Sequence, residues 1–400
     1  MENPQQPGRR AFLSQTGKLT TACAVIGLTG GMAQAASPGD GQCAPAPMTL
    51  TDRHYCLSEV RLEDGFEYDG ETVIGTRTAL YTLEIKDGKI AAIHAANAAL
   101  PTGVPRYKAQ GQLLLPAFRD MHIHLDKTFY SGPWQAPRPR QGKTIMDMIA
   151  LEQTLIPKLL PTSQQRAENL IALLQSKGST VARSHCNIDP VSGLKSLEHL
   201  QRALENHRAD FSCEIVAFPQ HGLLHSKVDA LMREAMQMGV QYVGGLDPTN
   251  VDGAMEQSLD AMFQIALDTG KGVDIHLHET SPAGVAAINY MIATVEQNPA
   301  LRGKVTISHA FALTTLTPGE LAETATRLAA QQITIASTVP IGGLMMPLDD
   351  KGQRAWPKAG DAAEFVLVNA SCSAEAVARL PARSATFHQG RLVAGQVSKA

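Results

Sequence analysis

The residues of this chain that are spaced for chemistry stand at the ends of apolar runs. His122 and His124 lie one residue apart near the end of Leu113-Leu-Leu-Pro-Ala-Phe-Arg-Asp-Met-His-Ile-His-Leu-Asp126. Alternate side chains of an extended strand share a face, so the two imidazoles point one way while Ile123 and Leu125 pack on the other. His276 and His278 repeat the spacing in Val273-Asp-Ile-His-Leu-His-Glu279, and His309 closes Val305-Thr-Ile-Ser-His309. A lone buried histidine is usually a satisfied core residue. Several strand ends carrying histidines together are a poor fit to chance.

In this arrangement His122, His124 and His276 are expected to bind one divalent metal ion, zinc or iron, because neutral imidazoles held at fixed separation suit borderline cations. Glu279, next to the ion, is expected to carry protons between an activated water and a leaving nitrogen, and His309 to polarise or orient the substrate. The metal's identity stays open, since such sites accept several divalent ions.

The elements that would hold these residues alternate. After the His122/His124 strand come strands at Thr180–Asn187, Ser212–Gln220, Gln241–Asp247, Val273–Glu279, Val305–Ala310 and Thr334–Pro340. Apolar residues at helical spacing separate them, as in Ala167, Leu170, Ile171 and Leu174, and Thr317-Pro-Gly-Glu320 reads as a capping box. Seven strand-helix units argue for an α/β fold of the (β/α)8 TIM-like type, whose site sits at the C-terminal ends of the strands. A doubly wound open sheet is the alternative, but no GxGxxG follows an early strand. Before and after the barrel the texture changes to strand-turn-strand: Thr82–Lys86, Asp87-Gly88 and Lys89–His94 form a hairpin, and Glu364–Asn369, Ser384–His388 and Arg391–Ala394 resume the pattern. The expected domains are 36–112 and 353–400, together a small β-sandwich built from both termini, and the barrel at 113–352.

The HxHLDK start, the Phe218-Pro-Gln220 strand end, the His-x-His-Glu of strand five and Ser308-His309 resemble the amidohydrolase superfamily, specifically its cytosine deaminase-like branch. The resemblance implies a distorted barrel with a β-sandwich domain, a mononuclear zinc or iron site, and hydrolytic deamination of a cyclic amidine such as cytosine or an amino-triazine. Carried over by position, it makes His122, His124 and His276 ligands, Glu279 the proton shuttle, His309 an orienting group and Gln220 a contact to the substrate amide. It also implies an eighth strand ending in an Asp that binds metal and acts as general base. No apolar strand ending in Asp fits between Pro340 and Phe365, so one stave is expected to be missing; Asp349, Asp350 and Asp361 read as loop acids. A barrel with an open edge invites a partner subunit, hence a homo-oligomer. Three functions follow: deaminase of a small N-heterocycle, cyclic amide hydrolase, or an inactive metal- or ligand-binding remnant.

Composition narrows the partners. With 44% hydrophobic and 18% charged residues and a formal charge of -3, the chain offers no basic footprint for nucleic acid. Residues 1–35 read as a twin-arginine-type signal peptide: Arg9-Arg10-Ala-Phe-Leu13, the apolar Leu19–Met32, then Ala33-Gln-Ala35 as a cleavage site, which implies a periplasmic protein. The apolar segment is too short and too rich in Gly, Ala and Thr for a membrane span. Beyond Cys23 the cysteines are odd in number, and Cys43 and Cys56 are open to either a disulfide or two free thiols.

Overall fold

The strand run Leu113–Asp126, continuous in sequence, is divided in space. In the computed structural model, which describes residues 50, 52–134, 144–337, 347–349 and 351–400, its first part belongs to one sheet and its second to another.

The first sheet gathers both ends of the described chain: β1 (His54–Asp69), β2 (Thr72–Lys86), β3 (Lys89–Ala95), β4 (Arg106–Lys108) and β5 (Leu113–Pro116). They join β13 (Phe365–Val368), β14 (Arg383–His388), β15 (Arg391–Gly395) and β16 (Ser398–Lys399) in the order β15-β14-β13-β5-β1-β2-β3, with β4 between β1 and β16. The β2–β3 turn at Asp87 and Gly88 has φ of 48° and 79°, the paired positive values of a tight hairpin turn whose twist matches its strands. Antiparallel pairing of β5 with β13, Leu114 opposite Leu367, ties the two ends together. Tyr55, Leu57, Ile85, Phe365 and Phe387 are buried in this domain's core.

Beyond Ala117 the chain enters the second sheet. Its strands are β6 (Phe118–Ile123), β7 (Ser179–Asn187), β8 (Ser212–Phe218), β9 (Tyr242–Leu246), β10 (Gly272–His276), β11 (Val305–Ser308) and β12 (Thr334–Ala336). Every pair is parallel and the order runs β12-β11-β10-β9-β8-β7-β6 without reversal. A doubly wound sheet reverses its strand order at a switch point, so this progression is that of a barrel. It is nearly closed: the His122 ring from β6 lies 4.5 Å from that of His276, which ends β10. The last strand was expected to reach Pro340; it ends at Ala336, and residues 338–346 lie outside those described. No eighth parallel strand occurs among the described residues.

The helices α1 (Ile145–Leu159), α2 (Ser163–Ser176), α3 (Lys195–Asn206), α4 (Asp229–Gln237), α5 (Met255–Thr269), α6 (Pro282–Gln297) and α7 (Pro318–Ala330) fall between the strands. The Thr317 capping box forms, its hydroxyl accepting from the Glu320 N–H while the Glu320 carboxylate reaches back to the Thr317 N–H.

Strand parity sorts the barrel's two faces. Val273 and Ile275 of β10 and Val305 and Ile307 of β11 are buried in one apolar core with helix residues such as Met262, Ile288 and Met291. The alternating positions carry polar groups: Asp274 and His276 on β10 face Thr306 and Ser308 across the β10–β11 register. The site is therefore built on rigid staves backed by a packed core.

Candidate metal centre and active site

His122, His124 and His276 converge, with one ligand-capable atom of each lying within 4.8 Å of the others. His124 Nε2 and His276 Nε2 are 3.4 Å apart. Two imidazole nitrogens bound at about 2.0–2.1 Å to one tetrahedral zinc stand about 3.3–3.4 Å apart, so this pair matches the bite of a single ion. The partners on the far side of the rings agree: His124 Nδ1 lies 2.9 Å from the His185 carbonyl oxygen, which only accepts, so the proton sits on Nδ1 and Nε2 offers a lone pair. Burial pushes the His122 imidazole down to about 4, and those of His124 and His276 well below the usual range. All three are uncharged at neutral pH, as ligands must be. The donor set fits a divalent cation.

Glu279, three residues past His276, is buried at 2% exposure. Its Oε1 accepts from the Thr249 and Asn250 N–H groups at 3.0 and 2.8 Å, while Oε2 has no hydrogen-bond partner. Burial raises its pKa, the direction a proton carrier needs at neutral pH. His309 follows β11 in a left-handed conformation with φ of 73°, which a non-glycine residue adopts at a cost; its N–H donates to the Ala336 carbonyl. This turn places its ring 4.5 Å from that of His122 and stacks it on His278 at 4.3 Å. Burial pushes the His309 imidazole down to about 3. His278 is itself oriented by Asp247, whose Oδ2 lies 2.9 Å from Nδ1.

Gln220, just past β8, accepts from Lys127 Nζ at 2.7 Å through Oε1. Lys127 also donates to both Glu152 oxygens, at 3.0 and 3.1 Å, and lies 5.5 Å from the centre of the Phe218 ring. Phe218 stacks on His276 at 4.2 Å and so joins this polar group to the histidine cluster. Lys127 could equally be read from sequence as a surface charge; here it is half-buried and doubly partnered. Trp134 is 83% exposed.

His185 is the group that sequence reasoning missed. Fully buried on β7, it lies 4.4 Å from both the His122 and His276 rings, and neither of its nitrogens has a hydrogen-bond partner. Only one histidine occurs on that strand, so the one-residue spacing that marks His122 and His276 is lacking. Its inward parity with Arg183 and Asn187, two polar neighbours on an apolar strand, was the available signal.

Among the described residues, Asp349 and Asp361 are engaged by their own turns. Asp349 Oδ1 accepts from the Lys351 and Gln353 N–H groups, and Asp361 Oδ2 from that of Lys358, as turn caps do. Asp350 and Cys43 lie outside the described residues, and Cys56 is a buried free thiol.

No family model matches the chain. An Escherichia coli (strain K12) protein named "Uncharacterized protein YahJ" is 53% identical over 453 positions, covering 98% of each chain. That alignment is longer than the 400 residues here, so at least 53 positions of the relative face no residue of this chain. N-isopropylammelide isopropyl amidohydrolase of Pseudomonas sp. (strain ADP) is 30% identical over 207 residues, 51% of each chain, so the match spans about half of that enzyme. Among solved structures, N-isopropylammelide isopropylaminohydrolase of Burkholderia multivorans superposes with a TM-score of 0.69 at 23% identity, covering 84% of this chain and 98% of that one. The 5-methylcytosine deaminase of Klebsiella pneumoniae liganded with 5-fluorocytosine gives 0.65 at 19%, covering 85% and 97%. The chain therefore shares its fold with solved aminohydrolase and deaminase structures and, over about half its length, is similar in sequence to an isopropylammelide amidohydrolase.

Proposed function

We propose that the chain is a metal-dependent hydrolase of exocyclic carbon–nitrogen bonds in small N-heterocycles, in the first place a deaminase of cytosine-like or amino-triazine rings. The 3.4 Å approach of His124 Nε2 to His276 Nε2, with the proton of His124 fixed on its other nitrogen, carries this reading. The names of relatives that act on isopropylammelide, pterin and 5-methylcytosine support the substrate class.

His122, His124 and His276 would hold the ion, which supplies Lewis acidity and an activated water when bound. Water adds to the ring carbon, the carbon–nitrogen bond breaks, and nitrogen leaves as ammonia or an amine. Glu279 takes a proton on the unpartnered Oε2 and delivers it to the departing nitrogen, while the Thr249 and Asn250 amides hold Oε1 still. His309, neutral, orients the substrate. Gln220, its carbonyl oxygen engaged by Lys127, has its amide N–H groups left to donate to a ring acceptor.

The runner-up is a metal-binding remnant without turnover, favoured by the lack of an eighth-strand carboxylate among the described residues. Metal analysis of the purified chain, with ammonia and amine release scored over cytosine, amino-triazine and pterin substrates, separates the two. Bound metal with release from one substrate supports hydrolysis; bound metal with none supports the remnant. Export by a twin-arginine route is proposed on the sequence of residues 1–35, and Arg9→Lys with Arg10→Lys is expected to retain the protein in the cytoplasm.

A further inference from the structure

A histidine ligand needs its proton on the nitrogen that faces away from the ion, and the structure fixes that proton in two different ways. For His124 the acceptor is a backbone carbonyl. For His122 it is a side chain: Nδ1 lies 2.9 Å from Ser308 Oγ. A hydroxyl has one proton to give, and Ser308 donates it to Asp274 Oδ1 at 2.7 Å. The Ser308 oxygen is then available to His122 only as an acceptor.

The direction of this chain originates one step deeper. Asp274 Oδ2 accepts from Arg183 Nη1 at 2.9 Å, and a guanidinium can only donate. Arg183 is held in turn by Glu214, Thr306 and Tyr242, at 2.9, 2.9 and 2.8 Å. Asp274 and Ser308 are fully buried, so water does not replace either partner.

We propose that Ser308 and Asp274 are positioning residues that lock His122 in the Nδ1–H tautomer and so aim its Nε2 lone pair at the metal site, with Arg183 setting the polarity of the relay. The inference rests on the metal site proposed above. It gives the inward positions of β10 and β11 a task beyond packing, and it makes His122 the ligand whose proton a single side-chain change can reverse.

Asp274→Asn is the discriminating change. Arg183 offers only donors, so the new amide turns its oxygen to Arg183 and its NH2 to Ser308. Ser308 then accepts from that NH2 and donates to His122 Nδ1, which moves the ring proton to Nε2 and removes a ligand. Zinc competition against a chromophoric chelator, on the full chain, is expected to show binding weakened about 10- to 100-fold. In Asp274→Asn/Ser308→Ala the reversing hydroxyl is gone, and affinity is expected to recover in part. Binding within threefold of the unsubstituted chain for Asp274→Asn, or a double variant weaker than the single, overturns the relay.

Long-range 1H–15N correlation of the unsubstituted chain tests it with the relay intact, the His122 signal being assigned by its loss in His122→Gln. A proton on Nδ1 supports the relay and a proton on Nε2 overturns it, with or without zinc. A chain that takes up no zinc overturns the metal proposal instead, and the tautomer of the zinc-free chain still decides this one.

Discussion

At the scale of single residues, Glu279 is fixed through one oxygen and has the other without a partner. A glutamine there keeps the shape: its amide oxygen accepts the Thr249 and Asn250 N–H groups and its NH2 takes the place of Oε2. Glu279→Gln is therefore expected to retain metal while turnover falls by about 10²–10⁴, the usual worth of a positioned acid-base group. Elemental analysis beside ammonia release checks both halves, and unchanged turnover would remove Glu279 from the mechanism. The nearness of His276 and Glu279 was legible because the motif compresses them into four residues of one strand end. His185 and Ser308 were not: each meets partners more than thirty residues away, which neither spacing nor composition reports.

At the scale of elements, Arg183 works as a polar pin through the barrel. From β7 it reaches Glu214 on β8, Tyr242 on β9, Asp274 on β10 and Thr306 on β11. Burial pushes Asp274 up to about 6 even with this partner beside it. Arg183→Ala leaves a buried carboxylate unpaired and is expected to cost about 3–5 kcal/mol, measured as a lowered urea midpoint at unchanged slope. Strand order and helix positions were readable from alternating periodicities, but the pin was not, since Arg183 in sequence is one charge in an apolar run. The smaller domain supplies the pH signal. On β4, burial and the Asp52 carboxylate, which accepts from the Tyr107 hydroxyl at 2.6 Å, push this phenol up to about 12. A folded pKa raised above the unfolded value near 10 adds stability that is complete below pH 10 and lost as pH climbs toward 12. Alkaline unfolding of Tyr107→Phe is expected to lack this component, and identical pH profiles for the two chains would refute the assignment.

At the scale of the whole molecule, the barrel has seven described staves, and at least 53 positions of its 53%-identical relative have no counterpart in the chain. The sequence already points to a missing stave, because too few residues separate Pro340 from Phe365 for another strand and helix, and the described residues agree with it. The division of Leu113–Asp126 between two sheets was not legible there, since four consecutive leucine and proline positions read as one strand until β13 supplies their partner. With seven staves among the described residues, the barrel places unusual weight on any ion that its histidines bind. The three proposed ligands come from β6, at one end of the parallel sheet, and from β10, so a bound ion would tie that end strand across the interior to a central one. An ion that binds only the folded state adds about 2.7 kcal/mol at a hundredfold excess over its dissociation constant. For a barrel of this size that corresponds to a rise of about 5–10 °C in the unfolding midpoint. Scanning calorimetry with zinc and with a chelator is expected to show this difference in the unsubstituted chain and to lose it in His276→Ala, which retains both sheets but removes the β10 end of the tie. Equal midpoints with and without zinc in the unsubstituted chain would mean that the histidines converge without a metal to hold them.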